Sequence, residues 1–149
     1  MSQINEDLKV TGELKIVVTD ESGQVKEELT VPNLVVTTGR NYIASRMIGT
    51  TPGVMSHMGV GSGATAPALA NSQLQTQLGS RVTLTNSSVS DNVVTYTATF
   101  GAGEGTGAVT EAGVFNAATS GVMLCRTTFD VVNKGANDTL AITWAITIS

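Results

Sequence analysis

The sequence predicts an antiparallel β-sandwich or jelly roll with one short helix, and three observations predict it. Residues 139–149 alternate strictly, with Leu140, Ile142, Trp144, Ile146 and Ile148 on one face and Ala141, Thr143, Ala145, Thr147 and Ser149 on the other. That is the period of a strand with two unlike faces. Several earlier segments share the period and are separated by Gly-, Asn- and Asp-containing turns. One stretch alone breaks the rhythm over a helical length, so a βα alternation is not expected. At 149 residues the chain fits a single domain, 1–149, with residues 1–8 expected as a flexible polar N-terminal arm.

In chain order, Leu8, Val10, Leu14, Ile16 and Val18 fall at even positions with Lys9, Thr11, Glu13 and Lys15 between them, which predicts a half-buried strand over 8–19. Asp20-Glu21-Ser22-Gly23 supplies a turn, and residues 24–31 return as a second hairpin arm that Pro32 should stop. Residues 38–48 carry the predicted helix. Ile43 with Met47 and Ala44 with Ile48 stand four apart, Thr37 or Thr38 can cap its start, and Gly49 and Pro52 end it. A single helical turn over 71–78 would face Leu74 and Leu78 inward. Strands are expected again at 81–85, 92–100, 112–116, 122–130 and 139–149, with 101–107, GAGEGTG, as a long flexible loop.

Charged residues make up 13% of the chain, and Thr, Ser, Asn and Gly stand in their place. A neutral polar surface loses little ion solvation when another subunit docks, which favours assembly. The net charge of −4 and the scattered eight Lys and Arg exclude a nucleic-acid footprint. No apolar run reaches the roughly 18 residues of a membrane span, and the polar, acidic start MSQINEDLKV lacks the zones of a secretory signal. With one cysteine no disulfide forms within the chain. A protein made in the cytoplasm is expected.

Two glycine runs invite a nucleotide reading. In GVGSGATAP, residues 59–67, no lysine follows the last glycine, and no basic residue lies between His57 and Arg81. A phosphate would go unanswered, so the run is read as a bend that needs glycine geometry. Gly103-Glu104-Gly105-Thr106-Gly107-Ala108 matches a dinucleotide fingerprint in one register, yet residues 108–115 read as a strand where that fingerprint needs a helix. His57 and Cys125 are single copies, which rules out a zinc cluster of several His and Cys. Mid-strand Cys125 is expected to be buried and inert, and His57 a polar edge residue. Glu111 is expected to pair with Arg81 or Arg126 as a buried structural ion pair. Catalytic, cofactor and metal residues are all expected to be none, and aromatics, at 4%, are too few for a stacking platform.

The segment 57–67, HMGVGSGATAP, followed by Leu74, Leu78 and Arg81, resembles a pattern of tailed-bacteriophage virion proteins. TATF (97–100), TEAGVFN (110–116), LCRT (124–127) and VNKG (132–135) extend the resemblance, which spans roughly residues 33–149. It looks like small capsid cement or decoration proteins and, more loosely, the N-terminal parts of tail fibres with a "GxG…T…L…R" layout. It implies a structural protein on the outer surface of the phage head, with the major capsid protein and copies of itself as partners, a trimer favoured over a dimer. A tail, baseplate or tail-fibre protein is the alternative. No catalytic residue comes with the resemblance.

Overall fold

The computed structural model describes residues 8–49 and 53–149. Among them run β1 (Val10–Thr19), β2 (Val25–Val35), α1 (Thr37–Arg46), β3 (His57–Gly61), β4 (Val82–Thr83), β5 (Asn86–Ser90), β6 (Val93–Phe100), β7 (Gly107–Phe115), β8 (Met123–Lys134) and β9 (Thr139–Ile148). Every pairing is antiparallel, in the order β4-β3-β7-β8-β2-β1-β9-β6-β5. The mainly antiparallel class with one short helix is therefore as expected. The sheet curls on itself, and both halves contribute to one core.

The curl is made where the chain changes sheets. In β2, positions up to Asn33 pair with β1, whereas Leu34 and Val35 pair with Arg126 and Cys125 of β8. Pro32 does not stop this strand, contrary to expectation. It lies at the point where β2 exchanges one neighbour for the other, next to a break in the ladder where a missing N–H is tolerated. Its carbonyl accepts a hydrogen bond from Thr127 Oγ1 at 2.6 Å. At the other end, Leu84 N donates to Ser56 O and Thr85 N to Thr97 O, so the link from β4 to β5 steps between the halves.

The face predicted as core on 139–149 is the inward one: Leu140, Ile142, Trp144 and Ile146 are buried. Trp144 lies between Leu14 of β1 and Tyr96 of β6 in the cross-strand register. Across the core they meet Met58 and Val60 of β3, Ala112 and Val114 of β7, and Cys125 of β8. This continuous apolar contact is what holds the two halves of the sheet together.

The helix differs from its prediction. Its N-cap is Val36 with no side-chain cap hydrogen bond, and Thr38 Oγ1 donates instead to Met123 O at 2.9 Å. Met47 and Ile48 lie past the last turn, 86% and 80% exposed, so they form no buried stripe. Gly39 and Tyr42 are buried in their place, with Ile43 packed at the edge of the core. A four-residue repeat marks a face only while the helix lasts, and this one ends at Arg46.

Strand limits also moved. Polar β5 was not foreseen, because NSSVS carries no apolar alternation; β4 is only two residues long; β7 begins at Gly107 rather than 112. The 101–107 run is pinned rather than loose: Gly101 N and Glu104 N close a turn with Glu104 Oε1 and Gly101 O, and Lys134 Nζ donates to Gly101 O at 2.8 Å. The expected arm falls largely on residues 1–7, outside the described residues.

Gly39 sets how closely the helix sits on the sheet, since a Cβ there would collide with the carbonyl of Leu124. Gly39→Ala is expected to destabilise the fold by about 1–3 kcal/mol, as overpacking does. Gly53→Ala, whose Cβ meets no atom within 4 Å, is expected to leave stability within about 0.5 kcal/mol. Urea denaturation of both variants checks this, and equal stabilities would refute the close-packing role.

Candidate functional site

The long connection between β3 and β4 folds back over the outer face of β3, β7 and β8, and one carboxylate holds it there. Glu111 projects from β7 and is completely buried. Its Oε1 accepts Arg126 Nε at 3.0 Å and Gln75 N at 2.9 Å, and its Oε2 accepts Gly63 N at 2.8 Å and Thr76 N at 2.7 Å. The buried ion pair is the expected one, with Arg126 rather than Arg81 as the partner. Burial is the largest single influence on the Glu111 carboxyl and opposes its ionisation. The hydrogen bonds from Thr76, Gln75, Arg126 and Gly63 together outweigh it and hold the group below its ordinary value.

This arrangement accounts for Gly61 and Gly63, two of the three glycines of 59–67. A Cβ on Gly61 would strike Thr76 O and the Glu111 carboxylate, and one on Gly63 would strike Gln75 and the same carboxylate. The loop does cradle an anion through its backbone, as phosphate loops do, but the anion is the protein's own Glu111. Thr110 Oγ1 donates to Gly63 O at 3.0 Å, so adjacent residues of β7 hold both the N–H and the C=O of Gly63.

The helical turn expected over 71–78 does not form. Gln75 and Thr76 give their N–H groups to Glu111, and Leu78 N donates to Val60 O, so the chain returns alongside β3 in an extended form. Leu74 and Leu78 face inward as expected. Leu74 joins Val36, Phe115 and Met123 in a small second core, and Leu78 borders the main one. Arg81 closes the loop, with its guanidinium 3.5 Å from the Phe115 ring centroid and Nη1 bonded to Ala117 O at 3.0 Å and Ser120 O at 2.8 Å.

Cys125 and His57 are not brought together. Cys125 lies in β8, fully buried and facing the main core, while His57 begins β3, with all of β7 between the two strands. Two strand spacings separate them by about 10 Å. Burial pushes the Cys125 thiol well above its ordinary value, the reverse of what a nucleophile needs. His57 Nδ1 is 2.8 Å from Oγ of its neighbour Ser56. Among the described residues no three His, Cys, Asp or Glu side chains are placed to hold a metal ion, and no helix is long and apolar enough to cross a membrane.

Two surfaces stand out beyond the loop. On the outer face of β9, β6 and β5, Ala141, Thr143, Ala145 and Thr147 lie beside Val93, Thr95, Thr97 and Thr99, followed by Asn86, Ser88 and Ser90. No charge interrupts these eleven positions. The charges of this sheet gather on the other half, where Lys15 meets Glu28 at 3.0 Å across β1 and β2. Among the described residues β5 is also the end of the sheet, pairs only with β6 and is exposed throughout. Beside it lies an apolar groove of about 320 Å³ lined by Tyr42, Val54, Met55, Val89, Val94 and Tyr96, among others.

No protein family, characterised protein or solved structure matches this chain.

Sequence reasoning missed the link between Glu111 and the glycine loop, although a buried acid in TEAGVF requires donors and a glycine-rich segment is a ready supply. It also missed Asn71, Gln75 and the whole of β5, whose polar residues carry no periodic signal.

Glu111→Gln keeps the shape, turns an NH₂ group toward backbone donors and leaves Arg126 buried without its counter-charge. We expect a loss of about 3–5 kcal/mol in urea denaturation. Because the folded-state carboxyl titrates below its unfolded value of roughly 4.3, its contribution is complete above that pH and is lost as pH falls through the folded value. Asp20 and Asp138 are shifted the same way. The difference between wild type and Glu111→Gln therefore isolates Glu111, and it should shrink below about pH 4.

Native Cys125 should resist iodoacetamide at pH 8 and react fully once the chain is unfolded. Rapid alkylation of the folded protein, followed by mass spectrometry, would show the thiol to be accessible.

Proposed function

We propose that this chain is a cement (decoration) protein of a tailed-bacteriophage head, which binds the assembled shell and stabilises contacts between neighbouring major capsid proteins. The observation that carries this reading is the uncharged Thr/Ser/Ala face across β9, β6 and β5, which ends in an open strand edge. Such a face loses little solvation energy when covered, whereas a face built to stay in water ordinarily carries Lys or Glu.

The size of the face favours repeated contacts over a single strong one. Strands of ten, eight and five residues cover about 360 Å², which is under half of the ~800 Å² per partner of a stable pair. One contact is therefore weak, and occupancy comes from many contacts repeated by the symmetry of a shell. A closed assembly of copies, a trimer ahead of a dimer, presents several faces at once. The reading places the protein on the outer surface of the head after synthesis in the host cytoplasm, and it assigns no catalytic role to any residue.

The test uses expanded heads of the phage that encodes the chain, prepared without it. Added protein is expected to bind them saturably and to raise their melting temperature. Thr95→Lys with Ala141→Lys, both on the outer face, should weaken head binding at least tenfold while the protein's own melting temperature stays unchanged. Absence of binding, or location of the chain on the tail or baseplate in a virion map, overturns the reading.

A further inference from the structure

A cavity of about 280 Å³ opens beside the returning arm of the β3–β4 loop, lined chiefly by Thr65, Asn71, Ser72, Gln73, Gln75 and Arg126. Among the described residues, Arg126 is the only charged one in its lining. The Arg126 side chain is 2% exposed, and two of its nitrogens are engaged, Nε on Glu111 and Nη1 on Asn71 Oδ1 at 3.1 Å. Its Nη2 is buried and has no acceptor among the described residues. Buried donors of this kind ordinarily have a partner.

Asn71 adds a second donor. Its Oδ1 accepts both Ala68 N at 2.9 Å and Arg126 Nη1, which fixes the orientation of the amide. The NH₂ group then lies on the opposite side, available to donate. Both residues line the same small cavity, where the buried Arg126 Nη2 calls for an acceptor and the half-buried Asn71 amide adds a second donor.

We propose that this cavity binds a carboxylate group, held by Arg126 Nη2 and the amide of Asn71. A planar carboxylate matches the in-plane N–H donors of a guanidinium. Glu111 already balances the Arg126 charge, so a dianion such as phosphate would face a buried carboxylate with no second cation among the described lining residues. A volume of about 280 Å³ is at the low end for ligand cavities and suits a short acidic side chain or a small organic acid. The group comes either from a free acid or from an Asp or Glu of a partner protein. The inference does not rest on the capsid reading.

The experiment is ¹⁵N NMR of the full chain, following the Arg126 Nε–H and Asn71 side-chain signals at constant ionic strength. Sodium acetate is titrated in one series and the blocked peptide acetyl-Gly-Glu-Gly-amide in another, with sodium chloride and the Gln peptide as controls. Saturable shifts with a dissociation constant on the order of 1 mM are expected. Tenfold tighter binding of the Glu peptide assigns the site to a partner side chain, and equal or tighter binding of acetate assigns it to a free acid. Ser72→Trp, at the exposed rim, should fill the cavity and abolish the shifts; Asn71→Asp should abolish them by repulsion. Shifts that do not saturate by about 100 mM, a hundredfold above the expected constant, overturn the proposal. So do shifts reproduced by chloride or retained in both variants.

Discussion

Four hydrogen bonds converge on the Glu111 carboxylate, and the outer half of this protein depends on them. An isolated buried carboxylate is strongly disfavoured, and pairing with one guanidinium seldom offsets the lost solvation. Three backbone N–H groups from the β3–β4 connection make up the difference. The dependence is mutual. Without the carboxylate, Gly63, Gln75 and Thr76 would need other acceptors, and the loop that carries Leu74 into its small core would have no fixed path over the sheet. Gly61 and Gly63 follow from the same constraint, because a Cβ at either would strike the Glu111 carboxylate.

The main core is a more ordinary construction. Alternating apolar faces on β1, β6 and β9 oppose those of β3, β7 and β8, and two sheet-crossing segments close the curl. Its outer surface is divided: charge collects on β1 and β2, while β9, β6 and β5 present hydroxyls and methyl groups. The uncharged half ends at an edge strand without lysine or proline to protect it. An unprotected edge next to an uncharged face is a surface suited to being covered, and the cement-protein proposal gives that cover an identity.

Legibility in the sequence followed periodicity. Residues 139–149 announced both their faces, and the buried member of each pair from Leu140 to Ile146 is the predicted one. The partnership of Glu111 with an arginine was also readable, since an acid inside an apolar strand needs a counter-charge. What could not be read was set by long-range contact. Pro32 looks like a stop until β8 is seen to take over from β1. Residues 71–78 look like a helical turn until Glu111 claims their N–H groups. β5 is a strand because β6 offers it a ladder, not because NSSVS prefers one. Met47 and Ile48 fit a helical stripe, but the helix ends at Arg46, before either of them.

Amide hydrogen exchange at Gly63, Gln75 and Thr76 tests the carboxylate anchor most directly, because it reads those N–H groups in the unaltered protein. The anchor predicts protection at all three approaching that of the β7 ladder amides, well above the protection of the exposed Asp20–Gln24 turn, with joint loss on acidification through the Glu111 transition. Exchange at the rate of that turn, with the β7 ladder still protected, would contradict it.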